Sequence, residues 1–285
     1  LGSLENKGVE LSLSWNDKIG SDWRYSVSGN LTTIKNKVLS LVQNGYTITD
    51  GTSGLPMMSY TQAGYPIGYF YGYKVDGVYQ NQTEIDNSPT NKLTKVLPGD
   101  LKFKDVNGDG EITTADRTMI GNPTPDFTYG LSVNLGYKNF DLSVDMMGVY
   151  GNEIYRTWNI FEWSQFNYLE SKMGRWHGEG TSNTEPILNR KRAINGKDYP
   201  SDYFIEDGSF FRIRNIQLGY TFGADMLKKL RMRSLRVYIN AQNPKTWKNN
   251  TGYSPEIGGS ATAFGIDANP YPMPAVYTFG LNLTF

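Results

Sequence analysis

Near the end of the chain, Tyr277, Phe279, Leu281, Leu283 and Phe285 alternate with Val276, Thr278, Gly280, Asn282 and Thr284. A period of two this strict is that of a strand with one apolar face and one small or polar face. The pattern recurs upstream. Val9, Leu11, Leu13 and Trp15 alternate with Glu10, Ser12, Ser14 and Asn16. Beyond a turn expected at 17–21, Trp23, Tyr25, Val27 and Leu31 alternate with Arg24, Ser26, Ser28 and Asn30. A second pair runs from Phe127 to Tyr137 and from Phe140 to Met146 about a two-residue turn, Lys138-Asn139. Gly148 is the expected site of a bulge. A third pair places Ile216, Leu218, Tyr220 and Phe222 beside Leu235, Val237, Ile239 and Ala241. Its connection, 223–233, is expected to hold one helical turn.

About seven amphipathic strands result, and their connections alternate between short and long. The segments at 17–21, 138–139 and 223–233 are short; those at 36–126, 151–207 and 244–275 are long. The long segments are rich in Gly, Asn, Ser, Thr and Pro, with one or two short strands expected within 64–80 and some helix after Asn152. Sorting of loop lengths to opposite ends is the habit of outer-membrane β-barrels, whose strands turn an apolar face to lipid and a polar face to the lumen. The predicted fold class is therefore all-β, an antiparallel transmembrane β-barrel segment. Phe211 and Ile213 are out of phase with Ile216, which requires a bulge or a strand top that has left the membrane. A soluble β-sandwich is the alternative. Seven strands would leave two unpaired edges in lipid, so more strands are expected from the same or another chain.

Composition narrows this further. The 28 basic and 28 acidic side chains cancel, which argues against a nucleic-acid partner. No apolar run approaches the length of a membrane helix. Cysteine is absent, so disulfides and thiolate metal sites are excluded. The chain opens in mid-pattern and reads as a piece of something larger.

The sharpest chemical motif is DVNGDGEITTAD. Asp105, Asn107 and Asp109 stand at loop positions 1, 3 and 5, Gly110 at 6 and Asp116 at 12. Glu111 would offer its carbonyl, and Thr113 a hydroxyl or a bridging water. This all-oxygen set suits Ca²⁺ in a structural role, although Asp116 is one methylene shorter than the Glu of an EF-hand. In the second long segment, Trp158, Phe161, Trp163, Phe166, Tyr168 and Trp176 offer aromatic faces for a glycan, a protein partner or plain loop packing. The lone His177 reads as a solvated loop residue. Glu153, Glu162 and Glu170 have no fixed spacing, so an enzyme is not expected. Glu10, Arg24, Asp141, Asp145 and Arg236 face the lumen, to line a path or to pair.

The stretch from Pro98 to Arg156, with DGSFFRIRNIQLGYTF, LRVYINAQNP and the closing YTFGLNLTF, resembles the C-terminal region of SusC/RagA-type TonB-dependent outer-membrane transporters of Bacteroidetes. The resemblance extends over essentially the whole chain. It implies a 22-stranded barrel of which this is roughly the last third, with the N-terminal plug and TonB-contacting segment outside it. It further implies a bacterial outer-membrane location and import of oligosaccharides or peptides. The implied partners are a SusD-like surface lipoprotein, TonB and membrane lipid. A scaffold role in another outer-membrane complex and a soluble calcium-stabilised carbohydrate-binding domain are the alternatives.

Overall fold

A computed structural model describes residues 2–42, 45–52, 55–157, 168–188, 193–196, 198–229 and 231–285. Seven long strands form one antiparallel sheet: β1 (Glu10–Ile19), β2 (Trp23–Thr33), β3 (Phe127–Tyr137), β4 (Phe140–Tyr150), β5 (Phe210–Thr221), β6 (Ser234–Lys248) and β7 (Val276–Thr284). They lie side by side in chain order, so every connection is a hairpin. The short turns therefore share one end of the sheet and the long connections the other.

Register converts the sequence alternation into two chemically distinct faces. Trp15, Val27, Val133, Val144, Ile216, Ala241 and Tyr277 form one unbroken row across all seven strands. Toward the turns, the next row holds Tyr25, Leu135, Leu142, Leu218, Ile239 and Phe279. Among the described residues nothing covers this face: Trp15 is 63% exposed, Ile239 56% and Phe279 74%. The opposite face carries Asn16, Ser26, Asn134, Ser143, Gln217, Asn240 and Thr278 in the corresponding row.

Aromatic residues bound the apolar face at both ends. At the turn end Trp23 packs on Tyr137 and Phe140 on Tyr220, with ring centroids 4.4 and 4.6 Å apart. At the loop end Tyr150, Phe127, Tyr129, Phe211 and Trp247 form a chain of ring contacts. Tyr137 and Phe127 are the two ends of β3. That span is about 33 Å of strand, and a tilt of roughly 40° projects it to about 25 Å, the height of the lipid-facing band of an outer-membrane barrel.

Several boundaries differ from the sequence reading. β1 runs to Ile19, and the turn is 20–22, with Gly20 at φ 62°. Gly148 is not a bulge; it pairs with Tyr129, whose ring lies over the space a side chain would fill. The bulge is at Arg214, where the register shifts on both flanks of β5. One extra residue there returns Phe211 and Ile213 to the apolar face, so the strand keeps its sidedness across the phase change. β6 continues to Lys248, into the segment read as loop from Pro244 onward. It does so because Asn243, at φ 49°, and Pro244 sit opposite that bulge, where Pro needs no N–H partner. Glu153–Arg156, read as helix, is a strand, and Glu170–Gly174 is a 3-10 turn. The helical turn between β5 and β6 is Ala224–Lys229.

On the polar face Arg236 reaches across Gly219 to the carboxylate of Asp141, with Nε donating to Oδ1 at 3.1 Å. A Cβ at 219 would sit 2.6 Å from Asp141 Oδ1. Gly219→Val should therefore part the two side chains. A pair this exposed contributes about 1 kcal/mol or less, so the measurement is a double-mutant cycle. Asp141→Asn should cost stability in the parent and nothing further in the Gly219→Val background.

Candidate functional site

The three long connections fold into one cap at the loop end, and the conventional hydrophobic core lies there. One cluster joins Met58, Phe70 and Ile120 from the first connection, Tyr155 and Phe204 from the second, and Ile266 from the third. The other holds Tyr73, Val78, Leu101, Phe103 and Ile112 with Ile194, and Tyr73 stacks on Phe103 with centroids 4.7 Å apart. Short strands tie the connections together: Glu153–Arg156 pairs with Ile205–Asp207 on one side and with Ile266–Asp267 on the other. Beside them Lys172 is buried, and its ammonium donates to Glu185 and, at 2.9 Å, to the Tyr203 hydroxyl.

The Asp-rich loop hangs from this cap. Ile112, fully buried in the second cluster, anchors it. Asp105 accepts from the N–H groups of Gly108 and Gly110 at 2.7 and 2.8 Å, Asn107 from Asp109, and Asp109 from Glu111. Asp116 accepts from Val106 and Thr113, while the Thr113 hydroxyl accepts from Ala115. Burial pushes the Asp116 carboxyl up, but the N–H donors of Thr113, Val106 and Asn107, with Asp105 alongside, outweigh it and hold it below the usual range. Lys92 pairs with Glu111 at 3.1 Å; no described basic side chain bridges Asp105 or Asp116. Among the described residues no three His, Asp or Glu side chains converge as a metal cage. The donor set fits a hard cation in chemistry, all oxygen and two adjoining carboxylates without a counter-charge, and its oxygens are committed to loop N–H groups in this arrangement.

Trp176 is packed against the second cluster and fills the space beside Gly99. Trp158, Phe161, Trp163 and Phe166 lie outside the described residues, as does Glu162. Tyr168 is exposed. His177 is exposed, with Nδ1 3.1 Å from the Arg175 carbonyl. Glu153 accepts from the Asn122 N–H, and burial raises its carboxyl; it is a structural clasp. On the polar face of the sheet Asp145 accepts from Ser132 at 2.7 Å. Arg212, which the alternation concealed, is buried on the polar face and ion-paired with Glu256. Its position at the phase change was the available signal.

No family model matches the chain. It is 33% identical over 297 residues to TonB-dependent receptor P3 of Formosa agariphila, covering all of this chain and 29% of that protein. It is 30% identical over 301 residues to TonB-dependent receptor SusC of Bacteroides thetaiotaomicron, covering 27% of it. Among solved structures the RagAB peptide transporter matches over the whole chain and 29% of its own, with TM-score 0.77 at 20% identity; the likeness establishes the fold. The chain spans less than a third of the length of these relatives. An uncovered apolar face between aromatic girdles, backed by a polar face, defines the wall of an outer-membrane β-barrel protein. Over its whole length the chain is similar to a part of TonB-dependent receptors, SusC among them, as expected of a fragment of that SusC/RagA type, and its place is the bacterial outer membrane.

Proposed function

We propose that the receptor of which this chain is a segment imports large nutrients, oligosaccharides or peptides. Energy would come through TonB, and a SusD-like surface lipoprotein would be its partner. The observation that carries the reading is the two-faced wall: apolar rows toward lipid, and Ser, Asn and Gln rows toward an aqueous lumen. A soluble carbohydrate-binding domain would leave those apolar rows in water, against the ordinary limit on exposed patches. The test uses the full-length receptor in its own outer membrane. Deleting it should abolish growth on one polymer, deleting TonB should do the same, and a surface lipoprotein should co-purify in detergent. Growth on every polymer without the receptor would overturn import. Stable co-purifying partners with no uptake would favour the scaffold role.

The loop at 105–116 would hold Ca²⁺ through Asp105, Asn107, Asp109 and Asp116, with the Glu111 carbonyl and Thr113 completing the set. Support comes from the spacing and from the two adjoining carboxylates without a counter-charge. The ion would supply only charge and rigidity. Millimolar Ca²⁺ should slow tryptic cleavage at Lys104 and Arg117, chelation should restore it, and Asp109→Ala should cleave at one rate in both. Cleavage indifferent to calcium in the parent protein would refute the site.

A further inference from the structure

The fold treats the two lysines near the loop end of β6 differently. Lys248 lies opposite Phe210 on the polar side, and its ammonium donates to the carbonyls of Asn250, at 2.8 Å, and Gly252. Lys245 lies opposite Ile213 in an apolar row and is exposed. No described acceptor holds its ammonium, which stands 5.8 Å from the centre of the Trp247 ring. Among the described residues it is the one basic side chain in the paired apolar rows of the seven strands. Beside it, Trp247 stacks on Phe211 and Phe211 on Tyr129. An open groove runs along these rings and Tyr150.

Depth decides what such a lysine can meet. Trp247 is the loop-end girdle residue of β6. Lys245 stands two residues nearer the middle of the band, about 7 Å along the strand. Its backbone is thus inside the apolar band, while its ammonium is turned toward the ring that marks the border. That is the posture of a stem laid along apolar surface with its charged head at the interface. A cation on the lipid face is tolerated at that depth and expelled from the midplane.

We infer that Lys245 and Trp247 form a docking site for the phosphate of an outer-leaflet lipid, with one of its chains lying along Phe211 and Tyr129. The long connections of an outer-membrane barrel stand at the cell surface, which fixes the leaflet. Charge is complementary, since an ammonium without a counter-ion sits at the level of anionic headgroups. The site is also continuous with the lipid-facing wall, so its occupant brings acyl chains with it. The inference rests on the outer-membrane placement and not on what the receptor imports.

The test is native mass spectrometry of the full-length receptor in detergent. The probes are diphosphorylated lipid A and the same lipid stripped of its phosphates. Lys245→Gln should bind the phosphorylated lipid about fivefold more weakly than the parent, the worth of one lysine at an anionic surface. Its binding of the stripped lipid should be unchanged. Lys245→Arg, which keeps the charge, should bind both as the parent does, and so should Lys248→Gln on the opposite side. All variants should keep heat-modifiable migration. Parent-like binding of the phosphorylated lipid by Lys245→Gln would overturn the site. So would an equal loss of both lipids, or an equal loss in Lys248→Gln. Efficient cross-linking of Lys245→Cys to a second receptor or to another protein in intact cells would assign the face to protein and overturn it as well. Growth is not read in this experiment, so its failure leaves the import reading standing.

Discussion

Val144→Arg should strip the receptor from the outer membrane, while Ser143→Arg, one residue away, should leave it in place. Val144 lies in the apolar row that crosses all seven strands, midway between the two aromatic girdles. A cation there must be dehydrated in hydrocarbon or drag water into it, at about 2–4 kcal/mol at the midplane. Ser143 occupies the opposite face beside Asn134 and Gln217, where an arginine reaches water. The measurement is the amount of folded, heat-modifiable protein in the outer membrane for parent and both variants. Equal losses would contradict the assignment of the faces.

The second large effect should be confined to the cap. Phe70 is wholly buried, with its ring 5.7 Å from that of Tyr155, and Phe70→Ala should cost about 3–5 kcal/mol. The wall shares none of this cluster, so the cost falls on the cap alone. Trypsin should then cleave within the first two long connections of membrane-embedded receptor, while the barrel keeps its heat-modifiable migration. Unchanged cleavage would mean that the cluster does not hold the cap. Loss of the barrel would mean that cap and wall form one cooperative unit.

The wall was legible because each strand states its own facing: alternation at Phe127 to Tyr137 needs no knowledge of its partners. The exception is instructive. At Arg212 and Arg214 the sequence reports that phase is lost but not how it is recovered, because a bulge is fixed by the strands on either side. Gly148 misled in the other direction, since only the register reveals the Tyr129 ring lying over it. The cap was largely illegible. Phe70, Tyr155, Phe204 and Ile266 sit in strands of two to four residues, or beside them, too short for any period to emerge. Trp176, conspicuous in sequence as a possible platform, packs against the second cluster, and the quieter Arg212 lines a cavity whose other walls come from β6 and the third connection.

The cap is closed by hydrogen bonds between residues that are far apart along the chain. The Ser59 hydroxyl donates to the Thr262 carbonyl across 203 residues, and the Thr262 hydroxyl to Asp50 across 212. Closing loops of that length gives no return until both ends have been delivered to the same place. The intervening strands β3 to β6 must therefore already stand in order before Thr262 can find Asp50 and Ser59. Assembly of the cap is in this sense a proof-reading step for the wall. A strand inserted out of sequence, or slipped by one residue, would leave Met58, Phe70 and Ile266 unable to meet, and the loop end of the wall would carry an open, protease-sensitive tangle in place of the ordered cap.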